Sequence, residues 1–428
     1  MASDRDVFRA PKGTRDVLPP DSSRWLEVIA AFAERAQRFG FGLVMTPMFE
    51  HYEVFARVGE STDVVSKEMY DFFDKGDRRL ALRPEGTAGT VRAFAEHRPP
   101  SPWKVWYCAP NFRYERPQEG RYRQHWQLGA EAIGSDDPQI DIEMIDLLNG
   151  FYRDLGLRHV KLLINSMGDA DSRARYTKVL LDYWMSHADA LGADIERAQL
   201  NPLRILDSKR PDWQAMIEAA PQLANYLSDA STAQFEAVQA GLRSIDIAFE
   251  VAPRLVRGFD YYTATVFEFQ GAALGGAQNA LGGGGRYDKL SEEMGGPAAP
   301  AIGFGSGIER LLLACDAEGV LAISDSQVDV CVIDSINVAD VSTLLHEIRE
   351  CGVRADRSYG SKNLKKQWAT ASRLGARFGV MYAPREWADG NVVVKDLATS
   401  QQIEVARAQV VQWLRDHLNV DTEKESRS

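Results

Sequence analysis

The sequence predicts an α+β chain that ends in a smaller α/β domain, and three observations predict it. Paired strand-like runs, best developed over Val105–Ile133, carry the two-residue alternation of antiparallel strands. Between Ser166 and about Phe249 this pattern gives way to a segment that is helical in period and poor in β-branched runs, as an insertion between two pieces of one sheet would be. From Ser326 onward, short apolar strands alternate with amphipathic helices, the pattern of a compact α/β layer. A length of 428 residues suits two to three such domains.

Taken in order, Lys12-Gly13-Thr14-Arg15-Asp16 is a polar entry segment ahead of Pro19-Pro20. Asp21 or Ser22 can cap a helix from about Arg24 to Phe39, with Trp25, Val28, Ile29, Phe32 and Ala36 on one stripe and Gly40 as its stop. Leu43–Thr46 reads as a strand, and Pro47 at its end marks an edge or an interface. A helix leading into an edge strand suits a dimer surface; the alternative is an edge covered by loop. Glu50–Val58 is predicted helical, and Met69–Phe73 pairs with Arg79–Leu82 as a hairpin. At Arg83-Pro84-Glu85-Gly86-Thr87 a strand becomes a helix that runs to about His97. Such a junction can aim a carboxylate and a hydroxyl into a cleft, or simply cap the helix with Thr87. Asp141–Leu155 is a helix and Val160–Asn165 a strand.

The central hairpin is the most informative stretch: strand Val105–Tyr114, loop Glu115–Arg123, strand Gln124–Ile133. Its even positions (Trp106, Cys108, Phe112, Trp126, Leu128, Ala130, Ala132) form an apolar face fit for a core. Its odd positions carry Tyr107, Asn111, Arg113, His125, Gln127, Gly129 and Glu131, which is neither a core nor an ordinary wet surface. The glycine leaves room for something to lie against the backbone, and three more arginines sit in the loop. This face reads as a floor for a small anionic ligand, or as a plain solvated sheet face.

The sheet resumes at Arg254–Thr263 and continues to Phe269, with Arg257, Asp260, Tyr261 and Tyr262 packed into an apolar strand. A buried arginine needs an anion. Four glycines, Gly282–Gly285, precede Arg286-Tyr287-Asp288; such a run weakens a strand unless backbone approaches something closely. Ala301–Arg310 is a strand entering a helix through glycines. It is not a dinucleotide fingerprint, because Ile308 stands where the last glycine belongs, and no P-loop exists in the chain. After the linker Gly319–Gln327 come strand Val328–Ile333, helix Val338–Cys351, a short strand at Val353, helix Lys362–Leu374, strand Phe378–Met381, hairpin Val392–Lys395 with Gln402–Val405, and helix Ala406–Leu418. Within that domain Arg354–Arg377 holds seven basic side chains and one acid, a patch suited to a specific polyanion on a chain of net charge −11.

The totals exclude other classes. No apolar run approaches the roughly 18 residues that cross a bilayer, and the polar start Met1–Arg9 is no signal peptide, so a cytoplasmic protein without membrane partners is expected. Cys108, Cys315, Cys331 and Cys351 form no C-x-x-C pair, and the seven histidines show no metal spacing; no protein-held metal is expected.

These residues carry a resemblance over essentially the whole chain. It resembles the bacterial-type histidyl-tRNA synthetases, which are class II aminoacyl-tRNA synthetases. Lys12–Leu18 and Arg83–Gly89 match family segments. The strand ending at Pro47 resembles motif 1, Phe112–Gly134 motif 2 and Ala301–Leu312 motif 3. Leu255–Glu268 and Gly283–Leu290 resemble the two segments peculiar to the histidine enzyme and are the most diagnostic. The resemblance implies a class II antiparallel sheet with flanking helices, a homodimer and a C-terminal anticodon-binding domain. It implies catalytic core over residues 1–165 and 250–325, the helical insertion over 166–249 and the anticodon-binding domain over 326–428. It further implies L-histidine, ATP with Mg2+, and tRNA(His) as substrates, joined through a histidyl-adenylate.

Matched residue by residue, Arg113 and Arg257 are expected at the α-phosphate and Arg310 near the terminal phosphates. Glu85, Thr87 and Gln127 are expected at the amino-acid head group. Glu131 and Tyr262, with Tyr261 beside it, are expected around the imidazole, and Gln118 and Arg121 at the tRNA acceptor end. Gly282, Lys289 and Gly305-Ser306 depart from the family's common residues without touching these positions. Relatives that regulate ATP phosphoribosyltransferase typically lack both the arginine at 257 and the last domain; both are present here.

Overall fold

The computed structural model describes residues 7–418 except 58, 60, 61, 63, 207, 209, 257–260, 276–278, 323–325, 361 and 362. The chain forms two compact units, one of residues 1–17 with 25–322 and one of residues 18–24 with 323–428.

The larger unit is built on an eight-stranded sheet. Its strands are β1 (Gly42–Leu43), β5 (Trp103–Phe112), β6 (Gln124–Ile133), β7 (Val160–Ser166), β8 (Glu250–Val251), β9 (Thr263–Gly271), β10 (Ala280–Arg286) and β11 (Ala301–Gly307). They lie in the order β1-β5-β6-β11-β10-β9-β7-β8. The six inner strands are antiparallel, and a two-residue parallel strand closes each edge. β2 (Phe49–His51), β3 (Asp71–Phe73) and β4 (Arg79–Leu82) make a separate small sheet.

The hairpin register puts Trp106 opposite Ala130 and Tyr107 opposite Gly129, so the two faces read from the alternation are the two faces observed. The apolar face buries Trp106, Leu128, Ala130 and Ala132 against the helix α1 (Asp21–Arg38), whose Trp25, Val28, Phe32 and Ala36 are all in that core. Helix α4 (Pro138–Asp154) completes the layer with Ile145, Leu148 and Phe151. Gly40, at φ +77°, follows α1 as expected.

In the larger unit, three strand and helix boundaries depart furthest from the sequence reading, each because a tertiary partner was absent or unforeseen. The strand expected over Leu43–Thr46 is only Gly42–Leu43, followed by one more bond from Val44 N–H to Trp106 O at 2.9 Å. Met45 points to solvent and Pro47 has no N–H to donate. The segment Glu50–Val58 begins as β2, paired with β4, and is helical only as α2 (Tyr52–Ala56). Strand β9 begins at Thr263 instead of Arg254, because Leu255 and Val256 pack into the core of the helical insertion.

That insertion runs from α5 (Ala170–Ser186) to α6 (Asp229–Ser244), with short helical turns between. Asp169 fastens its two ends together. It caps α5 through Ser172 N–H at 2.7 Å and accepts from the hydroxyls of Ser228 and Ser231, the first of which caps α6. These donors hold the Asp169 carboxyl well below its ordinary pKa. The insertion's own core, around Tyr176, Leu180, Trp184 and Trp213, continues onto Tyr262 and onto Val266 of β9.

The smaller unit holds β12 (Val330–Asp334), β13 (Ala355–Arg357), β14 (Phe378–Tyr382), β15 (Asn391–Asp396) and β16 (Gln402–Ala406) in the order β13-β12-β14-β15-β16. The first three are mutually parallel and the last two antiparallel. The strand expected at Val353 lies two residues later, since Val353 itself is spent in the core. The last helix starts at Val410 because β16 takes Ala406, and a helix over Pro384–Ala388 was not foreseen.

Candidate active site

The polar face of β5 and β6 is the floor of a cavity of about 300 Å³, within the range of small-molecule sites. β10 and β11 extend the floor, and Tyr261 and Tyr262 form part of the wall. The glycines of β11 explain how polar side chains fit across it. A Cβ on Gly303 would lie 1.5 Å from Glu131 Oε2, and one on Gly305 would lie 1.9 Å from Gln127 Nε2. The run of glycines in β10 lets that strand nest equally close: a Cβ on Gly284 would meet Gly303 O at 1.9 Å. The room beside Gly129 is filled from within the chain. The Tyr107 ring lies over it, 2.3 Å from where a Cβ would stand, and over Gly86 at 2.4 Å.

One end of the cavity rests on a fully buried carboxylate. Glu131 Oε1 accepts from Thr87 Oγ1 at 2.8 Å and Tyr107 Oη at 3.1 Å, and Oε2 accepts from Tyr287 Oη. Burial pushes its pKa up to about 8, against the pull of those three donors. When ionised, the carboxylate would keep one acceptor position beyond those three donors; when protonated, it can itself donate. Tyr287 is set by its ring contact with Tyr261, 5.7 Å between centroids at 75°. It is also set by the neighbouring Arg286, whose buried guanidinium is paired with Asp141 and bonded to Ser135 O and Asp137 O at 2.9 Å. Burial likewise raises the carboxyl of Glu85. Glu85 accepts from Thr87 N–H at 2.6 Å and Ala88 N–H at 2.7 Å, so it caps the helix α3 (Thr87–His97). Gly86, not Thr87, stands at the N-cap position, and the Thr87 hydroxyl turns to Glu131 instead.

The opposite end is cationic. Arg113, Arg121 and Arg310 all line it. Arg113 Nε donates to Pro84 O at 2.9 Å, Arg310 Nη1 to Ala280 O at 3.1 Å, and Arg121 pairs with Glu115. His125 stands among them, its pKa pushed down to about 3 by burial and then by Arg113 and Arg310, so its ring is neutral at pH 7. Its buried Nδ1 has no hydrogen-bond partner among the described residues. Glu309, at the start of α7 (Ile308–Glu318), accepts the Trp126 N–H at 3.0 Å. That bond holds β6 where β11 has turned into helix.

Of the residues expected at a site, Glu85, Thr87, Arg113, Arg121, Gln127, Tyr261, Tyr262 and Arg310 share this cavity. Glu131 lies directly behind it, bonded to Thr87. Gln118 is at the hairpin tip, paired with Arg121 through their backbones at 2.9 and 3.0 Å, and is not part of the lining. Arg257 lies outside the described residues. Tyr107, Tyr287 and His125 were not singled out. Strand parity placed Tyr107 and His125 on the polar face, but nothing local says that Tyr287 reaches Glu131 across β11. Among the described residues, no group of three His, Cys, Asp or Glu side chains is arranged to hold a metal ion.

The family model of the histidyl-tRNA synthetases matches residues 13–311, the span that contains the whole cavity. The chain belongs to the histidyl-tRNA synthetase family. A model of the anticodon-binding domain matches residues 327–417, the smaller unit. A histidine–tRNA ligase of Bacillus velezensis is 45% identical over 96% of this chain and 99% of its own length. One of Streptomyces coelicolor is 46% identical over 96% and 98%. The crystal structure of apo S. aureus histidyl-tRNA synthetase superposes with a TM-score of 0.81 at 35% identity, covering 96% of this chain and 100% of that one. Members of this family are class II aminoacyl-tRNA synthetases, and the antiparallel sheet with its separate α/β domain is their architecture.

Proposed function

We propose that this chain attaches L-histidine to tRNA(His) in two steps, with the two ends of the cavity dividing the work. The carboxylate of histidine attacks the α-phosphate of ATP, which enters with Mg2+ as its substrate complex; pyrophosphate leaves and histidyl-adenylate remains. The terminal ribose of the tRNA then attacks the activated carbonyl and AMP leaves. The observation that carries this reading is a buried, hydrogen-bonded carboxylate and a cluster of arginines at opposite ends of one cavity.

Glu131, with Tyr261 and Tyr262, selects the imidazole, and Tyr107 and Tyr287 hold that carboxylate in place. A buried acceptor left unpaired by the wrong side chain lets such a site discriminate by about 10⁴–10⁵. Gln127, Thr87 and Glu85 orient the head group; Glu85 does so with the lone pairs its helix cap leaves over. Arg113 and Arg257 stabilise charge growing on the α-phosphate, and Arg310 holds the terminal phosphates. Gln118 and Arg121 meet the acceptor end, and the domain over 326–428 reads the anticodon. The catalytic core over 1–165 and 250–325 is interrupted by the insertion over 166–249, which backs Tyr262. The chain works in the cytoplasm, and no helix among the described residues is long and apolar enough to cross a membrane. It works as a homodimer; exposed Leu43, Met45, Met48 and Phe49 beside the edge strand support that pairing.

ATP–pyrophosphate exchange measured with each of the twenty amino acids tests the reading. Exchange with histidine alone is expected; none with histidine, or comparable exchange with others, would overturn it. Replacing Arg257 by alanine should slow single-turnover adenylate formation by roughly 10²–10³ while sparing transfer from preformed adenylate.

A further inference from the structure

Beneath the floor of the cavity lies a second amide. Asn111 belongs to β5, on the polar face of the hairpin, and is fully buried. In the register of β5 with β6, Ala109 stands opposite Gln127 and Asn111 opposite His125, so Asn111 and Gln127 are diagonal neighbours across the pair. Asn111 Nδ2 donates to Gln127 Oε1 at 2.8 Å. The other half of the asparagine amide, Oδ1, is buried and has no hydrogen-bond partner among the described residues. A buried acceptor left unpaired costs stability, and a leucine of similar shape would carry no such cost. What the asparagine contributes is therefore its bond to Gln127.

That bond decides which way the Gln127 amide faces. With Oε1 turned toward β5, Nε2 lies over Gly305, where a Cβ would stand 1.9 Å away. Gln127 and Gly305 both line the cavity, and Nε2 donates to no group among the described residues. Gln127 thus meets the cavity as a donor; turned over, the same amide would present an acceptor. Of the three side chains assigned to the head group, Glu85 accepts the first N–H groups of α3 and the Thr87 hydroxyl gives its proton to Glu131. Gln127 alone of the three keeps N–H groups to offer. An ammonium group donates and suits Glu85, whereas a carboxylate only accepts and suits Gln127. The register agrees: Gln127 stands between Glu131 and the pair Asn111–His125 that adjoins Arg113. A histidine whose ring lies at Glu131 must place its carboxylate in that interval to reach the α-phosphate.

We propose that Asn111 is a positioning residue, which aims the Gln127 amide so that Gln127 donates to the carboxylate of histidine. The proposal deepens the histidine-activating reading above and rests on it. Asn111 is not part of the cavity lining and acts only through Gln127. Without it the amide can turn either way, and only a ligand that carries a carboxylate registers the difference.

Isothermal titration of the full-length protein tests this, with L-histidine and with histidinol, in which a hydroxymethyl group replaces the carboxylate. Asn111→Leu should weaken histidine binding about 5- to 10-fold and leave histidinol binding within about twofold. Asn111→Ala, which removes the amide without adding bulk, should give the same pattern. In a Gln127→Met background, Asn111→Leu should change histidine affinity by less than about twofold, because the group it aims is gone. Equal losses for both ligands in both Asn111 variants would make Asn111 a structural support and overturn the proposal. So would an undiminished effect of Asn111→Leu on top of Gln127→Met, or parent-like histidine affinity in Asn111→Leu. Histidine-dependent ATP–pyrophosphate exchange by the parent is measured alongside. Its absence would overturn the activity and the proposal with it, whereas exchange together with equal losses would count against Asn111 alone.

Discussion

The two ends of the cavity solve opposite physical problems. Around Glu131 every group is buried, and the carboxyl is held by hydroxyls: Thr87, Tyr107 and Tyr287 each donate to it. Around Arg113, Arg121 and Arg310 the charge is that of guanidiniums tied to backbone carbonyls or a single carboxylate. A small aromatic substrate is recognised by fixed, short-range donors and acceptors, whose worth collapses when one is unpaired. A polyphosphate is handled by positive charge, which acts over longer distances and gains most as charge builds in the transition state. The difference predicts that injury to one end will show in substrate affinity and injury to the other in rate.

The largest effect is expected at the cationic end. Arg113→Ala should slow adenylate formation by roughly 10²–10³, about 2.7–4 kcal/mol, with histidine affinity little changed. Single-turnover kinetics decides it, and a comparable rise in the histidine Kd would erase the distinction between the two ends. Next comes Glu131→Gln, which keeps the shape but removes the ionisable group and part of the acceptor capacity. The KM for histidine should rise roughly 5- to 150-fold, the equivalent of about 1–3 kcal/mol, and the KM for ATP should stay within about twofold. Equal losses for both substrates would make Glu131 a structural carboxylate.

Tyr287→Phe sharpens the comparison further, because it removes one donor to Glu131 and leaves the ring that packs on Tyr261. A rise of about 10-fold in histidine KM is expected, since leaving a buried polar group without its partner costs about 1–3 kcal/mol. Isothermal titration with histidine would read it directly, and wild-type affinity would assign the hydroxyl no part in selection. The last test concerns pH. The folded pKa of Glu131 is raised to about 8, above its value in the unfolded chain, so the native state retains the proton longer. Its contribution to stability is complete below the ordinary carboxylate pKa and is lost as pH rises toward 8. Denaturant unfolding from pH 5 to 8.5 should therefore show a shallower decline in Glu131→Gln than in the parent; parallel curves would refute the assignment.

What could be read in the chain before folding was whatever depends on local period. The hairpin's two faces follow from alternation alone, and the stripe on α1 from the helical repeat, so both are present with the residues expected. Side chains on one strand face are neighbours whatever the rest of the molecule does, which is why Gln127 and Glu131 could be grouped from sequence. The same reasoning failed where a partner came from far away. Glu50 was read as helical because no local pattern announces β4 as its neighbour. Leu255 and Val256 were read as strand because apolar residues that dock on an insertion look the same as residues that pair in a sheet.

The sequence by itself determined the floor of the site, the cations that could serve it, and the membership of Arg113, Gln127, Glu131 and Arg310 in one set of motifs. Only the tertiary structure decided how that floor is used. Gly129 seemed to open space for a ligand, yet Tyr107 of the same hairpin fills it. Glu85 accepts the first N–H groups of α3, and the Thr87 hydroxyl, a candidate cap by sequence, turns to Glu131. Tyr287 reaches that carboxylate across β11 because Gly303 has no side chain to block the way. Periodicity reports which face a residue occupies. Which of several donors on that face reaches a given acceptor is set by the close approach of strands that are distant in sequence, and that approach exists only once the chain is folded.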